Sequence, residues 1–271
     1  MFLDIGAGKG NFAECLHRYF PRLIISALEP SQAAHSLKTK PFLHEVRCKF
    51  FSSEDFAGRM FDFISLIGVL EHVPSPGEFL IDVARIMNKE SILFLEVPNF
   101  KNNKADLLTA DHLSKFTEEC LHNLLAVSGF EVIGKNTEPV VPMQFVVKKT
   151  SKGKIRRFDV SPYVEQATSY LQKAISEGRR LSGREMALYG QGLLGDYLLG
   201  AGILTSSDLK CVIDDNHLYH STKWRGLVPI VSFEEFRRKY NTPDIFLAMN
   251  DCYHAAVISR IPPGYHVWGT A

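Results

Sequence analysis

Phe2-Leu3-Asp4-Ile5-Gly6-Ala7-Gly8-Lys9-Gly10 is the stretch on which the fold turns. Residues 2–5 read as a short apolar strand stopped by glycines, and Asn11 to Tyr19 then places Phe12, Cys15, Leu16 and Tyr19 on one helical stripe. Glycines between a strand and a helix let the backbone turn tightly and come close to a ligand, beside the unpaired N–H groups of the helix N-terminus. Outward from this loop, apolar runs predict strands at 23–28, 46–51, 63–67 and 91–97, with helices at 31–39 and 77–87 between them. Thr117, followed by Glu118 and Glu119, predicts the cap and first turn of a helix ending before Gly129. Strands at 131–133 and 140–147 close the pattern. Strands alternating with helices predict an α/β fold, a mainly parallel sheet covered on both faces.

The spacing of the loop is G-x-G-x-G, with Asn11 where the dinucleotide fingerprint has its third glycine. Asp4 lies at the strand end, just before the first glycine. A carboxylate there is a poor neighbour for a pyrophosphate and a good one for a cofactor carrying an ammonium and a sulfonium. S-adenosylmethionine carries both. Gly6, Ala7, Gly8 and Gly10 then form its cradle, and Glu29, ending the second strand before Pro30, is placed to accept both ribose hydroxyls. Glu54 and Asp55 are candidates for the adenine amino group, and Ile67, ending the fourth strand, for an apolar contact.

Methyl transfer from a sulfonium is an in-line displacement that needs a positioned acceptor and, where the acceptor bears a proton, a base. Histidine suits that task because its ordinary pKa lies near neutrality. His72 follows the fourth strand, where packing is the simpler role. His112 lies in Asp111-His112-Leu113-Ser114-Lys115-Phe116, after the fifth strand, and is the candidate base, with Asp111 beside it. Both positions fall toward the carboxyl ends of strands, where open parallel sheets bind ligands. No metal site is expected.

Past residue 147 comes a basic run, Lys148 to Arg157, read with its surroundings as a linker over 148–160. The pattern then restarts: a helix to about Gly178, a strand at Met186–Tyr189, Gly190-Gln191-Gly192-Leu193-Leu194-Gly195 turning into a helix, a strand at Leu209–Ile213, another at 245–249, and a helix near 254–260. This second loop is a full G-x-G-x-x-G, and Asp214-Asp215 follows about 20 residues on at a strand end, so an NAD-type site is its alternative reading. Too little chain follows Met186 to build a six-stranded dinucleotide fold.

Asp4 to Gly10, Glu29-Pro30, Phe61-Asp62-Phe63-Ile64 running into Val69-Leu70-Glu71-His72-Val73, and Glu96-Val97-Pro98-Asn99 together resemble class I S-adenosylmethionine-dependent methyltransferases over residues 2–147. That resemblance implies a seven-stranded Rossmann-like sheet whose last strand, 140–147, is antiparallel. Asp111 to Phe116 also resembles sugar C-methyltransferases acting on nucleotide-linked keto-deoxysugars, in which the matching histidine is the base. Their acidic residue is usually Glu, where Asp111 stands here. Leu188 to Gly192, Val212-Ile213-Asp214-Asp215-Asn216 and Lys223-Trp224-Arg225-Gly226 leading to Pro229-Ile230-Val231 resemble the carboxy-terminal Rossmann-like domain of the same enzymes. The resemblance implies a methyltransferase domain over 1–147 and a smaller domain over 161–271. It further implies a cysteine-rich zinc-binding segment and helices ahead of the first strand. The sequence begins almost at that strand, so the chain is read as a fragment or a late start, which puts full activity in question.

The remaining composition narrows the partners. With 45% hydrophobic and 23% charged residues and a net charge of +1, nothing favours nucleic acid or an anionic membrane. Five scattered cysteines without a C-x-x-C pair, and no leader-like N-terminus, point to a reduced, cytoplasmic protein. The expected function is methylation of a small molecule, a nucleotide-linked sugar above others. The alternatives are an O- or N-methyltransferase of another metabolite, an inactive cofactor-binding or scaffold protein, and an NAD-binding protein. Oligomeric state is open.

Overall fold

The computed structural model of the chain describes residues 1–138 and 142–269. It divides into two compact units, one of Met1–Asn99 with Asp111–Phe158, the other of Phe100–Ala110 with Asp159–Ala271.

The first unit runs β1 (Phe2–Ile5), α1 (Asn11–Tyr19), β2 (Ile25–Leu28), α2 (Ala34–Leu37), β3 (Leu43–Arg47), β4 (Phe61–Ile67), α3 (Pro76–Arg85), β5 (Met87–Val97), α4 (Glu118–Val127), β6 (Phe130–Asn136) and β7 (Met143–Lys149). The strands form one sheet in the order β3-β2-β1-β4-β5-β7-β6. All neighbours are parallel except β7, which runs antiparallel to both β5 and β6. The expected seven-stranded sheet with an antiparallel strand is present. That strand begins at Met143, and Val140 and Val141 lie outside the described residues.

Period-two alternation explains the layering. Leu3 and Ile5 of β1 join one core with Leu80 and Val83 of α3 and Leu121 and Leu125 of α4. Phe2, on the opposite face, packs with Ala13 of α1, Ile25 and Phe63. All four β1 residues are buried, as a central strand covered on both faces requires. Thr117 caps α4 as expected, its side chain accepting from the Cys120 N–H at 3.3 Å. The largest differences from the sequence reading are in β3, α2 and β5, the last beginning at Met87 rather than 91. β3 lies at 43–47 rather than 46–51, and the helix expected over 31–39 is reduced to the single turn of α2.

The second unit contains α5 (Ser161–Leu181), β8 (Met186–Tyr189), α6 (Leu193–Gly200), β9 (Leu209–Ile213), β10 (Lys223–Trp224), β11 (Val228–Val231), α7 (Phe233–Lys239), β12 (Asp244–Leu247), α8 (His254–Ile258) and β13 (His266–Trp268). Its sheet has six strands, β10-β11-β9-β8-β12-β13, parallel except for the two-residue edge strand β10. The chain from Met186 on holds six short strands, none longer than five residues, and because β10 is antiparallel the parallel part of the sheet has five strands, not the six of a full dinucleotide fold. Met186 and Leu188 share one core with Tyr170 of α5 and Leu194 of α6, and Ala187 and Tyr189 share the other with Phe236 and Val257. Ala105, from the segment following β5, is buried in the first of these cores.

The basic run is less uniform than a solvated linker. Lys148 and Lys149 end β7, and beyond them Gly153 N–H donates to Ala126 O at 2.7 Å while Asn123 exchanges two hydrogen bonds with the Arg156 backbone. No helix among the described residues is long and apolar enough to cross a membrane.

Candidate functional site

The first glycine loop is pinned to the end of β2. Gly6 and Ala7 N–H groups both donate to Leu28 O, at 2.7 and 3.1 Å, and Gly10 N–H donates back to Ala7 O at 2.7 Å. Gly6 sits at φ +72°, and a Cβ there would fall 2.4 Å from Val69 Cγ2. A side chain is thus excluded both by the left-handed backbone and by the wall that Val69 makes. Gly10, at φ +78°, is the N-cap of α1.

Glu29 closes the loop from the other side. One carboxylate oxygen accepts from Gly8 N–H at 2.8 Å and the other from Ser31 N–H at 2.9 Å. Burial works to raise the Glu29 carboxyl, but hydrogen bonds from Ser31 and Gly8 outweigh it and hold the group below the usual carboxylate range. Glu29 is therefore ionised at neutral pH, with lone pairs left over to accept from a ligand. Asp4 is the opposite case. It is 2% exposed, and burial pushes its pKa up to about 6, against the hydrogen bond that Ser65 Oγ donates at 2.6 Å and with the repulsion of Glu29.

A cavity of about 590 Å³ opens at the carboxyl ends of β1, β2 and β4. Gly6, Glu29 and Pro30 line it, together with Phe50, Phe51, Val69, His72 and Phe79. The Phe51 and Phe79 rings meet edge to face at 5.3 Å. One ionised carboxylate on a glycine-rich turn, facing aromatic walls, offers a diol acceptor beside a surface for a flat ring. Asp4, with a pKa poised near neutrality below that turn, adds a carboxylate that a nearby cation would ionise. These features fit an adenosyl cofactor carrying positive charge.

Of the residues expected at the cofactor, Gly6, Glu29 and Pro30 line this cavity, whereas Asp4 is buried and Ala7, Gly8 and Gly10 stand outside its wall. Ile67 ends β4 directly before Gly68, which does line the cavity. Glu54 and Asp55 stand off it: they belong to a 3-10 turn, where Asp55 pairs with Lys49 at 2.6 Å and its carbonyl accepts from Arg47. Because β3 ends early, at Arg47, the chain presents Phe50 and Phe51 where acidic residues were expected. Those phenylalanines were legible only as strand residues.

The histidines come together. His72 Nδ1 lies 2.9 Å from Asp111 O, and since a carbonyl only accepts, that nitrogen carries the hydrogen. The His72 and His112 rings meet edge to face at 4.8 Å. Ser114 N–H donates to Glu71 O at 3.1 Å, so the loop bearing His112 is fastened to the turn after β4. His112 is half-buried, whereas Asp111 is exposed and turns its carbonyl, rather than a tight carboxylate contact, to His72. Glu71, His72 and His112 also bring one potential ligand atom each within 4.8 Å of one another, the donor set of a divalent-cation site.

Residues 1–135 match a family model described as a methyltransferase domain. Among solved structures, the chain is similar to a pericyclic reaction enzyme (TM-score 0.46, 20% identity, 55% of this chain and 43% of that one). It is also similar to the plantazolicin methyltransferase BpumL in complex with SAH (0.47, 16%, 55% and 75%). A third is an S-adenosylmethionine-dependent methyltransferase from Clostridium acetobutylicum ATCC 824 (0.46, 13%, 55% and 84%). The match thus takes in less than half the length of the first of these chains. No curated protein is significantly similar.

Proposed function

We propose that this chain, which carries a class I S-adenosylmethionine-dependent methyltransferase domain over residues 1–135, methylates a carbon of a nucleotide-linked keto sugar. The observation that carries the reading is the loop of Asp111 and His112, folded back until the His112 ring stands 4.8 Å from His72 in the wall of the cavity that Glu29 also lines.

The cofactor supplies a methyl group made electrophilic by its sulfonium. In this reading Glu29 accepts the ribose hydroxyls, and the Gly6 to Gly10 turn gives the backbone room to approach. Asp4, ionised by the nearby positive charge, favours the cationic cofactor over its neutral product. The aromatic wall of Phe50, Phe51 and Phe79 keeps water from the reacting centre. His112 removes the proton from the carbon beside the ketone, and the carbon's electron pair forms the new bond to the methyl as the sulfur–methyl bond breaks. His72, held by the Asp111 carbonyl, fixes the loop that aims His112. The sugar acceptor rests on the resemblance of this loop and of the second unit to sugar C-methyltransferases.

The test is a mass and NMR assay of the purified chain with S-adenosylmethionine and a panel of nucleotide-linked keto sugars. A carbon-methylated product is expected, with His112→Gln lowering turnover by about 10²- to 10⁴-fold and leaving S-adenosylhomocysteine affinity unchanged. A methyl ether would overturn the carbon acceptor. Turnover within twofold of wild type in His112→Gln would remove that residue as the base.

A further inference from the structure

Methyl transfer leaves the basic run Lys148 to Arg157 without a role. Its first two members serve the fold: Lys148 Nζ lies 3.7 Å from Glu90, and Lys149 Nζ donates to Ala84 O at 2.7 Å and to Met87 O at 3.0 Å. Beyond Lys149 the chain leaves the sheet and is strapped across α4 by its backbone. Gly153 N–H donates to Ala126 O, Asn123 Nδ2 donates to Arg156 O at 2.7 Å, and Arg156 N–H donates to Asn123 Oδ1 at 2.8 Å.

Between this strap, α4 and β6 lies a cavity of about 680 Å³, formed wholly by residues of the first unit and within the range of small-molecule sites. Glu118 of α4 is already engaged there, by its ion pair with Lys135 of β6 and by His122 Nε2 at 3.7 Å. The strap contributes Lys154, Arg156 and Arg157, whose exposed side chains make no ion pair among the described residues. Three like charges around one cavity repel one another, and an anion with several acceptor oxygens relieves that repulsion. Two of the three are guanidiniums, whose planar fork matches a pair of phosphoryl oxygens. His122 lines the same cavity, its ring edge to face with Phe145 at 5.3 Å. Burial, and then the charge of Lys135, hold the His122 imidazole below its usual pKa, so it is neutral at pH 7 until a negative charge arrives beside it.

We propose that this cavity binds a small phosphate-bearing metabolite, its phosphoryl dianion held by Lys154, Arg156 and Arg157 beside His122. These cations line one cavity rather than a continuous track, so the ligand is a small molecule and not a nucleic-acid strand. The proposal stands on the first unit's own residues and holds whatever group accepts the methyl.

Calorimetric titration of the whole chain with inorganic phosphate, pyrophosphate and sulfate at constant ionic strength tests it, with a single-stranded RNA oligonucleotide and S-adenosylhomocysteine titrated in parallel. Phosphate and pyrophosphate are expected to bind at millimolar concentration. The double variant Arg156→Ala, Arg157→Ala should weaken both by at least about tenfold and leave S-adenosylhomocysteine binding unchanged. The strap's bonds to Asn123 come from the Arg156 backbone, so this variant keeps the fold. Sulfate stays a dianion from about pH 8 to about pH 5.5, so its pH dependence reports the protein. Sulfate affinity should rise over that fall in pH, as His122 gains a proton among Glu118, Glu119, Lys135 and Arg156, and His122→Gln should abolish the rise. Absence of phosphate and pyrophosphate binding, equal binding by the double variant, or tighter binding of the oligonucleotide than of pyrophosphate would each overturn the assignment. Should the double variant unfold, the NMR titration of the His122 ring protons in the unaltered protein decides: sulfate must shift it to higher pH, and an unmoved titration sinks the site. Binding of phosphate without binding of S-adenosylhomocysteine would remove the methyltransferase reading and leave this one standing.

Discussion

Two carboxylates at one loop are driven in opposite directions, and each makes a separate prediction. Asp4 has its pKa raised from 3.8 to about 6, chiefly by burial. Below about pH 6 it is protonated, so it repels no proton and attracts no cation; above, it is charged. Affinity for cationic S-adenosylmethionine should therefore rise between pH 5 and 7, and Asp4→Asn should flatten that rise. In the ligand-free protein the sign is reversed for stability: the unfolded chain releases this proton first, so Asp4 destabilises the fold progressively as pH climbs from about 4 to 6. Asp4→Asn should accordingly raise ligand-free stability at pH 7 by about 1–3 kcal/mol, measured by urea denaturation. Glu29, held ionised at neutral pH by Gly8 and Ser31, gives no such step between pH 5 and 7, and Glu29→Gln should cost at least about tenfold in S-adenosylhomocysteine affinity across that range. The histidines add a third test. If His112 acts as the base, a chelator such as EDTA leaves turnover unchanged; loss of activity restored by a divalent cation would make Glu71, His72 and His112 ligands instead.

At the scale of elements, the glycine turns separate close packing from mere backbone sign. Gly6 and Gly8 both have positive φ, but a Cβ on Gly6 meets Val69 at 2.4 Å whereas one on Gly8 meets nothing within 4 Å. Gly8→Ala should thus cost about 1 kcal/mol, and Gly6→Ala about 2 kcal/mol or more with loss of cofactor binding as Val69 is pushed into the cavity. Equal denaturation midpoints for the two variants would contradict this packing. The same turns explain what was legible. β1 and β8 are legible to the residue because Gly6 and Gly190 end their apolar runs, α1 because its stripe stops before Pro21, and β9 because Asp214-Asp215 follows it. β3 is misplaced because the run 46–51 continues past its last strand residue, Arg47, with Phe50 and Phe51 lining a cavity rather than extending the strand. β10 and β13 were missed because strands of two and three residues carry too little alternation to stand out.

At the scale of the whole molecule, the sequence suggested a single cut through a basic linker, and the chain is woven differently. Phe100–Ala110 leaves the first unit after β5, contributes to the second, and returns at Asp111. The segment is held there by burial of Ala105 among Tyr170, Leu194 and Leu198, and by the ion pair of Lys104 with Asp251. No local pattern betrays such an excursion: its partners lie far along the chain, and a short run with lysines and asparagines reads as loop from its own residues. One consequence is physical and direct. Tryptic cleavage at the exposed Lys152 severs the connection through the basic run, yet the amino-terminal fragment still carries the 100–110 segment that belongs to the second unit's core. The two fragments should co-elute on a sizing column under native conditions and part only in denaturant. A segment bearing a buried alanine and a partly buried lysine pair holds by several small terms, so Ala105→Asp, which puts a charge into that apolar core, should release the fragments from each other after the same cut. Fragments that separate natively without any substitution would show that the excursion is not part of the second unit's fold.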